Sequence, residues 1–471
     1  MINSRMICLE CLIDILENKS HCHTVLNDTL SVYQYLEKKD RAFITRLCTG
    51  TVERAIELDY IINQFSKVKV NKQKPVIRNI LRMAIYQMKY MDNVPNRAAI
   101  NEAVNLASKK GFYTLKGFIN GVLRNIDRNT DNIDYPKYRS DNKTDKFRLD
   151  NNSNIMDSAI DEQELGYLEV KYSMPKWIIK KWIKEFDKQT TIQILEGFLQ
   201  DNSTTSVRCN TNILDVDELA EQLSKDVEKV EKSKYCKEGL ILSGYDYLGK
   251  LNSFNQGLFY VQDVSSMISV DAMGIKQDQY IIDVCAAPGG KSITAALQLK
   301  KTGMVDARDI SEKKVKYITD NIARFGIDNV SVKVHDALIE DDSVIEKADI
   351  VIADLPCSGL GVIGQKVDIK YNVTKEKLDE LVQLQRKILS VVHKYVKPGG
   401  ILLYSTCTIN NDENLSNVKW FIDNYDFEMD SLVPFVSKNI KANSLEHGYL
   451  QLLPGIHNTD GFFIARMKKR L

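Results

Sequence analysis

Two short strings set reactive groups where a ligand would meet them. Asp354-Leu355-Pro356-Cys357 follows a candidate strand at 349–353, and Ser405-Thr406-Cys407-Thr408 follows another at 400–404. An acid and a thiol at the carboxyl end of a strand lie in the crevice where open α/β sheets bind ligands. A thiolate there is a nucleophile, and nearby positive charge and backbone dipoles favour that form. A third string, DVCAAPGGKS at 283–292, places Lys291 directly behind the Pro288-Gly289-Gly290 turn. The glycines allow close backbone approach, and a helix starting at Lys291 leaves backbone N–H groups facing an anionic or polar ligand.

The elements that must position these groups follow from hydrophobic patterning. Ile281, Ile282, Val284 and Cys285 form a short apolar run of the kind buried in a parallel sheet, and helical composition resumes at 291–299. A P-loop is excluded because Cys285 stands where its first glycine is needed, and the G-x-G-x-x-G fingerprint of dinucleotide sites is absent. What remains is a Rossmann-like turn that holds a nucleoside without gripping a polyphosphate. A second strand at 304–307 runs into Arg308-Asp309, where a carboxylate is placed to accept from both hydroxyls of a ribose; it also reads as a cap for the helix that follows Ser311. A third strand, 332–334, ends in His335-Asp336. Past residue 256 strands and helices alternate, which predicts a parallel sheet with right-handed crossovers.

DVCAAPGGKS closely resembles the first motif of the S-adenosylmethionine-dependent RNA 5-methylcytosine methyltransferases. The strings at 335–336, 354–359, 405–408 and 453–465 follow it in that family's order. The resemblance implies S-adenosyl-L-methionine as cofactor, held by Cys285, Ala286, Ala287, Pro288, Gly289, Gly290, Lys291, Asp309, Asp336 and Asp354, with Asp336 near the adenine amino group and no metal. It also implies that Cys407 adds to carbon 6 of the base, that Asp354 hydrogen-bonds the base edge with Lys291 as a second polar contact, and that Cys357 assists release. Paired cysteines separate this family from DNA cytosine methyltransferases, which use the fourth-strand cysteine alone. The blander alternative is two core thiols at strand ends. This chain departs from the family pattern in Leu355 before the proline and in Gly364-Gln365-Lys366, where the family has a basic pair. Attack above a pyrimidine ring needs an unstacked or flipped base.

At 471 residues the chain is long enough for two to four domains, and a net charge of +1 argues neither for nor against nucleic acid. No run approaches the roughly 20 apolar residues that cross a bilayer, and the amphipathic first residues are not a signal peptide. Nine cysteines without a framework suggest free thiols in a reducing compartment. The expectation is a cytoplasmic monomer with no membrane partner.

Residues 1–128 carry apolar residues at helical spacing and predict an all-helical bundle. Cys8-x-x-Cys11 with His21-Cys22-His23 invites a zinc reading, against which stands a helix face shared with Leu9, Leu12 and Ile15. Thirteen basic residues between Lys67 and Arg128 are opposed there only by Asp92, Glu102 and Asp127, a bias that suits a phosphate-binding surface. Leu47-Cys48-Thr49-Gly50 and the string 116–124 resemble the NusB family of RNA-binding bundles. Residues 129–165 read as a polar linker. Residues 166–255 read as a small α+β RNA-binding module, in which Trp177, Ile178, Trp182 and Ile183 either stack bases or pack a core. The predicted architecture is therefore multi-domain: an all-α NusB-like N-terminal bundle, a small α+β middle domain, and an α/β Rossmann-like methyltransferase domain at 256–471. A NusB-like domain ahead of these motifs is similar to the branch of the family that methylates carbon 5 of a specific cytidine in small-subunit (16S) ribosomal RNA through a covalent cysteine adduct. A tRNA 5-methylcytosine enzyme is one alternative; a NusB-type antitermination factor with an inert methyltransferase domain is another.

Overall fold

The computed structural model describes residues 3–137, 160–200 and 204–471, so most of the polar stretch at 129–165 lies outside the described residues. By packing, the chain divides into two units, Met1–Leu199 with Gln365–Asn372, and Gln200–Gly364 with Val373–Leu471.

The first unit is helical: α1 (Ser4–Leu16), α2 (Cys22–Val32), α3 (Lys38–Glu53), α4 (Ala55–Phe65), α5 (Pro75–Tyr90), α6 (Asn96–Lys109), α7 (Lys116–Arg128), α8 (Glu162–Tyr172), α9 (Lys176–Phe186) and α10 (Lys188–Phe198). Local chemistry sets the starts. Asn3 accepts from the Arg5 and Met6 amides to cap α1, and Pro75 opens α5 at a position whose missing N–H costs nothing. Helix α5 is buried along most of its length, and α1, α3, α4, α6 and α7 pack on it. The Leu47-to-Gly50 string lies at the α3–α5 contact, where a Cβ on Gly50 would stand 2.1 Å from the Tyr86 ring carbon Cζ. Cys8, Cys11, Cys22 and Cys48 are buried in this core with Leu9, Leu12 and Ile44, so the early cysteines serve packing. Trp182 is fully buried against Phe198, ring centres 5.8 Å apart, which turns the 178–183 stripe into core. Helices α8 to α10 group with this unit, although their sequence reads as the start of the strand-bearing module that follows.

The basic excess of 67–128 is smaller in three dimensions than along the chain. Arg78 pairs with Glu17, Arg82 with Asp59 at 2.6 Å, Lys89 with Glu57 at 2.9 Å and Lys110 with Glu10 at 2.9 Å. The compensating acids come from sequence-distant helices. Lys67, Lys69, Lys72, Lys74, Arg97, Lys109, Lys116 and Arg128 stay exposed.

The second unit opens with β1 (Thr205–Cys209), α11 (Val216–Leu223), β2 (Lys229–Lys232), β3 (Gly239–Ser243), α12 (Asn252–Asn255) and β4 (Phe259–Val261). These strands form an antiparallel sheet in the order β2-β3-β1-β4, and a reciprocal cap between Asp215 and Glu218 starts α11. The large sheet follows, from α13 (Val264–Asp271), β5 (Tyr280–Asp283), α14 (Gly290–Gln298), β6 (Met304–Asp309), α15 (Glu312–Phe325), β7 (Val330–Val334) and β8 (Ala348–Asp354). After α16 (Ile369–Asn372), which belongs to the helical unit, come α17 (Lys375–Val392), β9 (Val396–Thr406), α18 (Leu415–Asn424), β10 (Phe427–Met429), β11 (Tyr449–Leu452) and β12 (Phe462–Lys469). Strand order is β10-β12-β9-β8-β5-β6-β7, with β11 paired to β12. The pairs from β9 through β7 are parallel as predicted, whereas β12 runs antiparallel to β9, β10 and β11. The sheet is therefore mixed, and the short 453–461 connection joins β11 and β12 as an antiparallel pair.

Residues 365–372, which the sequence reading places inside the catalytic domain, are part of the helical unit. Val367 joins its core, and Lys370 donates from Nζ to the Glu53 carbonyl at 2.8 Å. Burial pushes the Lys370 ammonium down to about 7. Among the described residues no helix is long and apolar enough to cross a membrane.

The close α3–α5 contact makes a direct prediction. Gly50→Ala forces a methyl into the Tyr86 ring and should destabilise the helical unit by about 1–3 kcal/mol or more, read as a lower melting temperature by circular dichroism; an unchanged melt would show that Tyr86 simply swings away.

Candidate active site

Parallel pairing of β8 with β9 sets Asp354 opposite Ser405. Ser405 Oγ donates to Asp354 Oδ1 at 2.7 Å, and Lys291, from the first turn of α14, places Nζ 2.6 Å from Asp354 Oδ2. The Lys291 ammonium also lies 5.3 Å from the centre of the Phe462 ring. Three residues beyond Asp354 and two beyond Ser405 the chains end in thiols, and Cys357 Sγ and Cys407 Sγ are 3.3 Å apart. The hydrogen bond with Cys407, and then burial, hold the Cys357 thiol well above its ordinary range. The two sulfurs lie within hydrogen-bond distance, and either can be the donor.

Close backbone approaches hold both loops. The Gly361 amide donates to the Cys407 carbonyl at 3.2 Å, and the Gly461 amide donates to the Gly361 carbonyl at 2.8 Å. A Cβ on Gly361 would lie 2.0 Å from the Gly461 carbonyl oxygen, so the DGFF string of the closing hairpin needs glycine on both sides.

A cavity of about 190 Å³ opens beside Lys291. On one side lie Cys285, Ala286, Ala287, Pro288, Gly290 and the Lys291–Asp354 pair. The turn is built for this: Gly289 is left-handed at φ +106°, and a Cβ on Gly290 would stand 2.8 Å from the Tyr260 ring. Cys285 is held protonated, its thiol raised by burial and by the charges of Asp283 and Asp309. Tyr260, Gln262, Asp263 and Ser266 also line the cavity, and sequence reasoning missed them. The available signal was Gln262-Asp263 between a strand and a helix, where Asp263 caps α13 by accepting from the Ser265 amide at 2.8 Å. Burial raises the Asp263 carboxyl, and it does the same to Asp283, pushed up to about 7 with help from the Asp354 charge. Asp283 takes the Ser292 hydroxyl on Oδ2 at 2.6 Å, while its buried Oδ1 has no hydrogen-bond partner among the described residues. Three carboxylates, Asp263, Asp283 and Asp354, therefore face one ammonium. The chemistry of this donor set fits a ligand that brings its own positive charge, as the sulfonium and α-ammonium of S-adenosylmethionine do.

The remaining sequence-selected acids sit outside this cavity. Asp309, at the end of β6 and nearly fully buried, accepts from the Ala287 amide at 3.0 Å and the Ile310 amide at 2.8 Å and pairs with Lys314 at 3.1 Å. It pins the glycine turn to the next strand. Asp336, past the end of β7, is half-buried and accepts from the Leu338 amide at 3.0 Å. Ile310, next to Asp309, and Leu338, two residues past Asp336, are exposed apolar side chains.

Comparison with known proteins agrees with this architecture. Family models match residues 2–128 (NusB family), 174–245 (RsmF/B-like methyltransferase, ferredoxin-like domain) and 270–468 (16S rRNA methyltransferase RsmB/F). The chain is 33% identical over 469 residues to the probable ribosomal RNA small subunit methyltransferase B of Bacillus subtilis, covering 99% of this chain and 98% of the relative. It is 27% identical to ribosomal RNA small subunit methyltransferase B of Klebsiella pneumoniae, covering 100% and 99%. The crystal structure of PH0851 superposes with a TM-score of 0.79 at 25% identity, covering 100% and 99%.

The unpartnered Asp283 oxygen gives a pH-dependent prediction. An acid raised from 3.8 to about 7 is protonated in both states at low pH, so its penalty is absent below about pH 4, grows as pH climbs to about 7, and stays constant above. Asp283→Asn should melt with the parent at pH 4 and be more stable by up to about 4 kcal/mol at pH 8, while losing affinity for a cationic ligand in equilibrium dialysis. Equal melting curves across that range would mean that the carboxyl is not desolvated.

Proposed function

The chain belongs to the RsmB/F family of 16S rRNA methyltransferases and is an S-adenosylmethionine-dependent rRNA methyltransferase; from that premise we propose that it methylates carbon 5 of a cytidine in small-subunit rRNA through a covalent Cys407 adduct. The observation that carries this reading is the pair of thiols 3.3 Å apart at neighbouring strand ends, beside the Lys291–Asp354 pair.

Carbon 5 of cytosine is too weak a nucleophile to displace a methyl group unaided. The Cys407 thiolate adds to carbon 6, and the electron pair of the 5,6 double bond moves to carbon 5, which becomes enamine-like. Asp354 hydrogen-bonds the base edge, and Lys291 holds the Asp354 carboxylate in place and offers a second polar contact. Ser405 fixes the other carboxylate oxygen. Bound in the acidic cavity, S-adenosylmethionine supplies an electrophilic methyl group. Backbone from Cys285 to Gly290 would border the cofactor, and Asp283 and Asp263 would meet its positive charge. Asp309 Oδ2, which carries only the Ala287 amide while Oδ1 is engaged by Ile310 and Lys314, would accept from the ribose, and Ile310, Leu338 and Asp336 would border the adenine. Once carbon 5 is methylated, its proton leaves to water, the 5,6 double bond re-forms, and the C6–S bond breaks with its electron pair returning to the Cys407 sulfur. Cys357, its sulfur 3.3 Å from that of Cys407, donates its S–H to the departing thiolate. The exposed lysines and arginines of the helical unit contact RNA phosphates.

Cys407→Ala should abolish both methylation and any covalent RNA adduct. Cys357→Ala should keep methyl transfer and leave a protein–RNA adduct on a denaturing gel. Reversed phenotypes would exchange the two roles. Mass spectrometry of 16S rRNA from a deletion strain should find one 5-methylcytidine missing; a methyl lost from tRNA instead would reassign the substrate.

A further inference from the structure

Glu413 is fully buried, seven residues past the end of β9, and none of the cysteine chemistry above uses it. Its carboxylate accepts four hydrogen bonds, all from neutral donors. Oε2 takes the Ser358 amide at 2.8 Å and Gln385 Nε2 at 3.0 Å, and Oε1 takes the Ser358 hydroxyl and Asn410 Nδ2 at 2.9 Å. Ser358 also shares a 2.8 Å hydrogen bond with Thr408, and Gln385 donates to the Pro356 carbonyl at 2.9 Å. Pro356 and Ser358 flank Cys357; Thr408 follows Cys407. One buried anion thus ties the loop of the first thiol to the loop of the second from behind. A desolvated carboxylate costs several kcal/mol unless every lone pair is met, and an apolar side chain of similar size would pack here at lower cost.

We infer that Glu413 is a positioning residue for adduct release: its carboxylate clamps the Cys357 loop so that the Cys357 S–H faces the Cys407 sulfur. The inference rests on the division of labour between the two cysteines proposed above. Geometry makes the case, since both Ser358 donors end on this one group. Charge works in the same direction, because a fixed negative charge behind Cys357 disfavours its thiolate and keeps the proton on the donor sulfur. Glutamine cannot replace it. It offers one acceptor oxygen to four donors, and its own NH₂ would face two of them.

The test uses the full-length protein with a cytidine-containing rRNA fragment. Glu413→Gln should leave S-adenosylmethionine affinity and single-turnover methyl transfer within about threefold of the parent while slowing adduct release by about a hundredfold, so that a methylated protein–RNA adduct accumulates. Combined with Cys357→Ala it should add nothing further, because the single changes act on the same S–H, one by misplacing it and the other by deleting it. Should Glu413→Gln not fold, Ser358→Ala decides: it deletes one of the four donors, keeps the carboxylate, and should accumulate a smaller amount of the same adduct. Loss of methyl transfer and cofactor affinity in proportion, with no adduct from the variant that folds, would overturn the inference. If Cys357→Ala itself traps nothing, the assignment of the cysteines fails instead; if Cys357→Ala traps adduct and the Glu413 and Ser358 variants do not, only the role of Glu413 fails.

Discussion

Everything at the site depends on one register: Asp354 on β8 stands opposite Ser405 on β9 in a parallel pair. That alignment lets Ser405 hold the carboxylate that Lys291 also holds, and it brings Cys357 and Cys407 to a common level. A slip of two residues would keep both strands buried and separate the thiols by roughly 7 Å along the strand axis. The β12 hairpin on the far side of β9, with the Gly361–Gly461 contact, holds that end of the sheet.

Electrostatics divides the crevice into two regions. Around the glycine turn, carboxyl groups outnumber the single ammonium and burial raises them, a setting that suits a positively charged ligand. Around the thiols there is no cation in the hydrogen-bond network of Glu413, only amide and hydroxyl donors. Such a network holds the loops of Cys357 and Cys407 together through neutral donors alone. The two regions meet at Asp354, whose oxygens are shared between Lys291 and Ser405.

The helical unit has its own economy of charge. Its buried arginines and lysines find acids on other helices, and the side chains left exposed lie mainly in loops and at helix ends, at 67–74, 97, 109, 116 and 128. The same unit takes in 365–372 from the far end of the chain, and the cost of burying Lys370 is offset only in part by the Glu53 carbonyl.

Several features of this protein were determined by its sequence alone. The strand–turn–helix at 280–298, the strand ends at Asp309, Asp354 and Cys407, and the helical run to 128 all follow from local patterning and from glycine and proline chemistry, which act between near neighbours. The DVCAAPGGKS string pointed to the same family as the whole-chain comparison, because glycine turns and reactive side chains tolerate few substitutes. Other features were decided only by tertiary structure. The Tyr260–Ser266 wall, the unpartnered Asp283 oxygen, the four donors on Glu413 and the cancellation of Arg78, Arg82 and Lys89 all join residues far apart in sequence. The transfer of 365–372 to the helical unit and the antiparallel β12 are of the same kind. None of these has a period or a local signature, because burial and charge pairing are properties of what surrounds a residue in space.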